Sequence, residues 1–497
     1  MSKPTASTGH GSLATGAITA LALAVQTGLA AVVGVIIAQK LGRTAETDGF
    51  FAAYGVFIVL ALAATAVRVT LMPNLARARE ARRLSSETAS YAVAVGVVTV
   101  PLLVIGLLAA RPIAELLTGF GSETAVNAAS AALPWMTLAG LGQFTAGLLA
   151  SALAALDDYV VAASGYIVGS IAGLTLIILR IDENRTDAVA WGMALNAILA
   201  TIVPAAWLWH RSRREQMPAT AAMVDPRSLG SRLLVLASGV ALPFALQAIY
   251  LACLPFAAAE GVGAVSSFGY AYLIGTAVVG VTASSLGLVT AVPLSRLGLD
   301  PDRVARHVEA SSWPALLAVG ATASTFAIAG AALADAVLGS AYGNSVGAQI
   351  GRIVVALAPY MVASVALAVT FPLVFVAGRT SRLPLVALGM IVLHIPAVFL
   401  GQQAAGLVGI AIALALSTAL AFVWILSLLG AGRAALRRLA RAVAVVAACA
   451  LVAFVPAALL LGPIAGAVSG LAGFVAVLAL VRPAGLTSGW HYLRELD

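Results

Sequence analysis

Residues 89–110 read ASYAVAVGVVTVPLLVIGLLAA and contain no charged side chain. A helix needs about 20 apolar residues to cross the hydrocarbon core of a bilayer, and this stretch is long enough. Similar stretches fill most of the chain, and the predicted spans are 13–38, 49–72, 89–110, 127–153, 159–179, 187–209, 233–257, 264–292, 310–335, 352–377, 383–401, 405–429, 442–461 and 464–481. Because lipid cannot hydrogen-bond an open backbone, we predict an all-α polytopic membrane protein with about 14 transmembrane helices.

The composition supports this class. Of the 497 residues, 61% are hydrophobic and 10% are charged, against about 25% charged residues in a typical soluble protein. The alternating pattern of a transmembrane barrel is absent. Little room is left for a soluble catalytic domain, so we predict that the protein is not an enzyme and that it binds no metal or cofactor. Cys253 and Cys449 lie in apolar runs and are expected to be buried free thiols.

The positive charges are distributed asymmetrically over the predicted connections. Arg68 lies inside a span, 21 of the 28 Lys and Arg residues fall in one alternate set of connections, and the opposite set holds Lys40, Arg43, Arg111, Arg180, Arg185 and Arg352. Basic connections stay in the cytoplasm, so both termini are predicted to be cytoplasmic, with the chain in a bacterial cytoplasmic membrane. The net charge of +8 therefore reflects membrane orientation, and we predict no nucleic-acid partner.

The longest polar connection divides the first twelve spans into six and six. The predicted organisation is a cytoplasmic tail 1–12, an N-lobe 13–209, a linker 210–232, a C-lobe 233–430, a basic loop 431–441, a final pair of spans 442–481 and a cytoplasmic tail 482–497.

Sequence features recur across this division. GFFAAY at 49–54 opens span 2, and SFGYAY at 267–272 lies early in span 8, 218 residues later. LPWM at 133–136 and APYM at 358–361 are related by an offset of 225 residues. Both halves begin on the same side, so the repeat is parallel. Transporters built from such repeats carry their substrate path at the repeat interface.

Several stretches resemble the MurJ (MviN) family of lipid II flippases, within the wider MOP exporter superfamily. IIAQKLG at 36–42 with ETDGFF at 46–51 resembles the junction of spans 1 and 2. SFGYAY with VPLSR at 292–296 resembles span 8, residues 134–158 resemble span 4, and 356–382, including VFVAGRT at 374–380, resembles span 10. The resemblance covers spans 1 to 12 and implies a 14-span flippase fold.

The same resemblance reveals departures from the family. MurJ proteins carry cavity arginines in spans 1, 2 and 8, which suit a lipid-linked pyrophosphate. The matching positions here are Thr27, Val33, Ala61, Leu62 and Leu273. The resemblance therefore implies the fold more strongly than it implies lipid II as the substrate.

Two charged or titratable side chains lie at membrane depth. Arg68 could contact a substrate phosphate in a cavity, or its guanidinium could snorkel to the interface five residues before Pro73. His394, two residues before Pro396, could relay protons, or it could be a neutral side chain bonded to a carbonyl that the proline frees.

Four mid-span amides complete the set of polar candidates: Gln26, Gln143, Asn196 and Gln247. They could bind sugar hydroxyls or join helices. Tyr250, which shares a helix face with Gln247, and Tyr272 in the span 8 repeat element are the remaining predicted substrate-binding residues. Lys40 and Asp48 flank the first outer turn and form either an outer-gate ion pair or a solvated pair.

These observations predict a flippase that moves a polyprenyl-linked saccharide from the cytoplasmic to the outer leaflet by alternating access. Its expected partners are that substrate and membrane lipids, with cell-envelope glycosyltransferases as candidate protein partners, and we expect a monomer. A MATE-like antiporter and a transport-inactive MurJ-like scaffold are the alternatives. The antiporter needs a mid-span carboxylate, whereas the Asp and Glu residues lie in or near connections. An enzyme acting on polyprenyl sugars is disfavoured because the longest outer loop, 336–351, has no Asp, Glu, Lys, Arg or His.

Overall fold

A computed structural model describes residues 28–156, 158–214, 226–297 and 300–496. Within these ranges the protein is helical and contains no strand, which confirms the predicted fold class. The helices are α1 (Gly28–Leu41), α2 (Ala45–Glu80), α3 (Leu84–Leu108), α4 (Ala110–Leu117), α5 (Glu123–Ala155), α6 (Tyr159–Arg214), α7 (Pro226–Ala258), α8 (Ala264–Leu297), α9 (Pro301–Leu338), α10 (Asn344–Ala356), α11 (Ala358–Val376), α12 (Leu383–Leu428), α13 (Gly432–Leu460), α14 (Pro463–Val481) and α15 (Ala484–Leu496).

Eleven helices in the described ranges are long and apolar enough to cross a membrane. Two of these contain a sharp break: the backbone is non-helical at Arg185 in α6, and at Ala405 and Gly406 in α12. The break at Arg185 falls between predicted spans 159–179 and 187–209, and the break at Ala405 and Gly406 falls on the first two residues of predicted span 405–429. With both helices divided, and with the shorter apolar helix α1 added, the helices agree with the predicted number of spans.

Local sequence signals set several helix ends. Pro301 occupies the first turn of α9, where its missing N–H costs no hydrogen bond, and Asp300 before it has extended backbone. The same helix ends at Gly339, whose φ of 91° is easily adopted only by glycine. Helix α14 likewise begins with Pro463.

The chain forms two compact units. Within the described ranges, unit 1 contains residues 28–41, 52–115 and those between 123 and 247. Unit 2 contains 42–51, 116–122 and the described residues between 248 and 496. The start of α2 and the turn after α4 therefore belong to unit 2, although the chain on either side of each belongs to unit 1.

The core of unit 1 joins α2, α3, α5 and α7 through apolar side chains. Leu71, Tyr91, Leu148 and Leu236 are among its buried members. At the end of this core, Arg232 forms an ion pair with Glu87, with 2.8 Å between Nη2 and Oε2.

In unit 2, helices α13, α14 and α15 pack on α9. A Cβ on Gly320 of α9 would lie 2.7 Å from Val446 Cγ1 in α13, which shows how closely these helices approach. The rings of Phe454 and Phe474 join α13 to α14, with centroids 6.2 Å apart. The predicted tail 482–497 contains α15, and a Cβ on its Gly485 would lie 2.7 Å from Trp313 Nε1 in α9.

Candidate functional site

The first candidate site surrounds Asp48 in unit 2. Asp48 lies in the first turn of α2 and is buried. Its carboxylate accepts a hydrogen bond from the backbone N–H of Ser266, at 2.8 Å, and another from the N–H of Gly263. The first N–H groups of a helix have no partner within the helix. Asp48 therefore provides acceptors at the beginning of α8.

Arg43 and Tyr342 bind the same region. Arg43 Nε donates to the Gly263 carbonyl at 3.1 Å and to Ser267 Oγ at 3.3 Å. The Tyr342 hydroxyl donates to the Gly42 carbonyl at 3.0 Å. Burial raises the pKa of Tyr342 to about 12, so its hydroxyl keeps the proton that it donates. We call segments 42–51, 261–267 and 339–343 together the latch.

Glycine and aromatic side chains shape the latch. Gly263 has a φ of 81°, and the Arg43 side chain lies where a Cβ would stand, so both backbone and space favour glycine. The ring centroid of Tyr270 lies 4.8 Å from that of Phe51 and 5.1 Å from that of Tyr342, with edge-on geometry in both pairs. These ring contacts join segments 42–51 and 339–343 of the latch to α8, in addition to the hydrogen bonds.

The structure corrects the predicted pairing of Lys40 with Asp48. Lys40 Nζ instead bonds Asp182 Oδ1 at 2.9 Å, and both side chains are largely exposed. Asp48 uses backbone N–H groups, as described above. A carboxylate beside a polar turn is expected from its sequence to be exposed to water. The hydrogen-bond donors to Asp48, however, come from residues more than 200 positions away in the chain.

Tyr250 and Tyr272 are fully buried in unit 2. Their rings stack with centroids 3.8 Å apart, and the Tyr360 hydroxyl donates to the Tyr272 hydroxyl at 3.2 Å. The two residues predicted to bind substrate thus lie in an aromatic cluster of α7, α8 and α11. Their part in substrate binding stays a prediction.

His394 joins both arms of α12 to α7. Its Nδ1 lies 2.9 Å from Ser417 Oγ, and its Nε2 lies 3.4 Å from Cys253 Sγ. The structural alternative predicts a carbonyl freed by Pro396 as the partner of His394. The structure places the Ser417 and Cys253 side chains and the backbone of Ile249 in α7 against the imidazole. The imidazole is fully buried, so a proton relay through it would need a further opening.

In unit 1, Arg68 is partly buried between α2, α5 and α6. Its carbonyl accepts a hydrogen bond from Ser151 Oγ at 3.4 Å, and its guanidinium interacts electrostatically with Tyr166. Within the described residues, no carboxylate pairs with this guanidinium. An unpaired cation at this depth can bind an anionic group or reach the interface.

The predicted amides divide into three cases. Gln26 lies outside the described residues, and Gln143 and Gln247 are partly buried. Asn196 lies in the tight crossing of the two arms of α6, where a Cβ on Gly169 would stand 2.6 Å from its Oδ1. The Oδ1 of Asn196 is buried and accepts no hydrogen bond from the described part of the chain, so its helix-joining and binding roles both stay predictions.

The sequence does not by itself bring together the residues of this cluster: Arg43, Gly263, Ser266 and Tyr342. A signal was present, because Asp48 and Ser266 are separated by the repeat offset of 218 residues. Among the described residues, no group of three His, Cys, Asp or Glu side chains is arranged to hold a metal ion.

Comparisons with known proteins place this geometry in a known fold. No protein-family model and no curated protein sequence matches the chain. Among solved structures, the chain is similar to the lipid II flippase MurJ in an inward closed conformation, with a TM-score of 0.71 and 12% identity over 93% of this chain and 98% of MurJ.

Transporters of the MOP superfamily are also similar. An inward-facing MATE family transporter gives a TM-score of 0.62 and 15% identity over 84% of this chain and 94% of its own. A MOP superfamily transporter from Pyrococcus furiosus gives 0.56 and 15% over 84% and 96%. The chain therefore has the fold of the MOP exporters. Its resemblance to MurJ, predicted from the sequence, is confirmed in the fold.

Proposed function

We propose that this protein is a MurJ-like flippase that moves a polyprenyl-linked saccharide other than lipid II across a bacterial cytoplasmic membrane. The observation that carries the proposal is the extent of the MurJ likeness. A match over 93% of this chain must include part of the region 432–496, which holds α13, α14 and α15.

The faces of α13 and α14 suit a lipid-linked substrate. One face of this pair packs on α9, and beyond the basic first turns of α13 much of the remaining surface is apolar and exposed. Its exposed side chains include Leu451, Val452, Leu459, Leu460, Ile464, Val468, Val475 and Leu480. Large exposed apolar faces mark contact with lipid or another apolar partner, so this pair is suited to guide the polyprenyl tail.

Arg68 is the proposed contact for the substrate phosphate. It is partly buried and has no carboxylate partner in the described part of the chain. Charge-assisted hydrogen bonds from arginine to phosphate are among the strongest polar contacts in proteins. The apolar or neutral residues at the positions that match the MurJ cavity arginines argue for a substrate different from lipid II.

The latch is the proposed outer gate. It holds 42–51 in unit 2, while α1 and the rest of α2 belong to unit 1. Alternating access moves one repeat against the other. In the proposed cycle the latch bonds break when the substrate leaves toward the outer leaflet and form again afterwards.

The test is leaflet accessibility of a fluorescent polyprenyl-diphosphate disaccharide in proteoliposomes, read by a membrane-impermeant quencher. We expect the purified protein to raise transfer between leaflets above that of protein-free vesicles. A MATE-like antiporter, which the second group of similar folds supports, would instead export a small fluorescent cation against a proton or sodium gradient. A transport-inactive scaffold would move neither probe.

A further inference from the structure

An open groove of about 510 Å³ lies on unit 2 between α9, α10 and the second arm of α12. Phe326, Ile328, Val355 and Val408 supply much of its apolar lining. Arg352 is the charged residue in this lining. We call it the Arg352 groove.

Small residues create the groove by letting α9 and α10 approach closely. A Cβ on Gly330 would lie 2.8 Å from the Gly351 Cα, and a Cβ on Gly351 would lie 2.7 Å from the Phe326 carbonyl oxygen. Ala348, Arg352 and Val355 follow one another at spacings of four and three residues, so they share one face of α10, and all three are exposed. The opposite face of α10 is buried.

The groove lies at the depth of the membrane interface. Arg352 is the first residue of predicted span 10, and Val408 is near the start of predicted span 12. Ala331 lies near the end of predicted span 9, and it also lines the groove. All three belong to the predicted outer ends of their spans. Lipid phosphates lie at this level, whereas acyl chains lie deeper.

Arg352 differs from the other cations of the predicted outer side. Ion pairs are formed by Lys40, Arg111 and Arg180. Arg43 belongs to the latch and donates a hydrogen bond within it. Arg185 also interacts within the protein. For Arg352, no hydrogen bond or ion pair is formed with any residue in the described ranges.

We propose that the Arg352 groove binds an acidic phospholipid of the outer leaflet. The guanidinium donates to the lipid phosphate, and one acyl chain lies along Phe326 and Val355. A fork of N–H donors matches phosphate geometry, which suits arginine to this contact. The lipid supplies the negative charge that the protein leaves unpaired, and its chain covers the exposed apolar lining. This site is independent of the proposed transport cycle, because it needs neither Arg68 nor the latch.

The experiment is native mass spectrometry of the detergent-solubilised protein, titrated with phosphatidylglycerol. We expect Arg352→Gln to reduce the population with one bound lipid about fivefold, as expected for the loss of roughly 1 kcal/mol per basic residue. The matched control is Arg180→Gln, which removes an exposed outer-side cation outside the groove and should leave lipid binding unchanged. Arg352→Lys should retain part of the binding.

A second variant tests the apolar part of the groove with the charge intact. Ala348→Leu should fill the groove and weaken phosphatidylglycerol binding while thermal unfolding stays near that of the wild type. Phosphatidylcholine should bind less tightly than phosphatidylglycerol, and millimolar inorganic phosphate should not displace the lipid. Equal lipid loss in Arg352→Gln and Arg180→Gln, no loss in Arg352→Gln, or full displacement by free phosphate would overturn the proposal.

Discussion

The carboxylate of Asp48 accepts a hydrogen bond from the backbone N–H of Ser266, with 2.8 Å between Oδ1 and N. The two residues are 218 positions apart, which is the offset between GFFAAY at 49–54 and SFGYAY at 267–272. Asp48 precedes the first of these elements by one residue, and Ser266 precedes the second by one. The bond therefore joins equivalent positions in the two halves of the predicted repeat.

Replacing Asp48 should destabilise the protein measurably. Asp48→Ala leaves the N–H groups of Gly263 and Ser266 without their acceptor in a buried place. Hydrogen bonds to a charged group contribute about 1.5–3 kcal/mol, so we expect a loss of unfolding free energy of that order. Thermal unfolding in detergent, compared with the wild type, measures the change.

Lys40 offers a matched control for this substitution. Its ion pair with Asp182 is exposed, and exposed pairs contribute about 0–1 kcal/mol. Lys40→Ala should therefore change stability little, and the double variant should be additive within about 0.5 kcal/mol. A larger coupling between the two substitutions would show that Lys40 and Asp48 interact.

A second stability prediction concerns the crossing of the two arms of α12. A Cβ on Gly409 would collide with the Gly401 carbonyl group, so Gly409→Ala should cost about 1–3 kcal/mol. The same substitution at Gly96, in the interior of α3, meets no atom within 4 Å and should be neutral or stabilising. Equal unfolding temperatures for the two variants would show that the α12 arms can separate without cost.

The helical fold was predictable because the lipid bilayer imposes a strong requirement on the sequence of each spanning segment. Each span must be apolar and long enough, and this can be read from a short window such as 89–110. The breaks near Arg185 and Gly406 were also predicted, since polar residues interrupt the apolar runs there. The helix-forming tail 484–496 was missed because its packing on Trp313 depends on a distant segment.

The site was less predictable because its contacts join residues that are far apart in the sequence. The amino acids around Asp48 look like those of a solvated turn, and its burial depends on Gly263 and Ser266 far along the chain. His394 was recognised as a buried polar residue, but its partners Cys253 and Ser417 could not be named from local sequence. A residue's depth can be read from its neighbours in sequence, whereas its contacts require the folded chain.

Arg68 provides a prediction about transport. Arg68→Ala should lower the initial rate of saccharide transfer about tenfold or more, since a charge-assisted contact contributes about 1.5–3 kcal/mol. Arg68→Lys should retain part of the rate. Because no carboxylate of the described chain pairs with Arg68, the unfolding temperature should change little in either variant. Gln143→Ala and Gln247→Ala should reduce the rate mildly, each through a neutral hydrogen bond of about 1 kcal/mol. A fall in unfolding temperature that parallels the lost rate would assign Arg68 to packing.

Substrate choice can be tested in cells. MurJ proteins carry cavity arginines at positions that match Thr27, Ala61, Leu62 and Leu273 of this chain. Without those arginines, this protein should not replace a MurJ flippase. The measurement is growth of a MurJ-depleted bacterial strain that expresses this chain at a normal level. Growth equal to that with MurJ would mean that lipid II is accepted without those arginines.

The central claim, saccharide transfer by opening of the latch, is tested most directly with a reversible lock. A Cβ on Gly42 would lie 3.8 Å from the Ala341 Cβ, a separation suited to a disulfide. Gly42 has a φ of 67°, so the single Gly42→Cys variant is the control for backbone strain. The native Cys253 and Cys449 are buried and free, so they should not interfere. The measurement is leaflet transfer of the fluorescent polyprenyl-diphosphate disaccharide in proteoliposomes that contain the Gly42→Cys/Ala341→Cys protein. Transfer is measured before and after reduction of the disulfide, and both single variants are measured as controls.

We predict that the wild type and the single variants transfer the lipid. The oxidised double variant should retain less than about one tenth of their rate, as expected for an added barrier above roughly 1.4 kcal/mol. Dithiothreitol should restore the rate of the double variant. Undiminished transfer by the oxidised double variant, or transfer by the wild type no faster than in protein-free vesicles, would contradict the account.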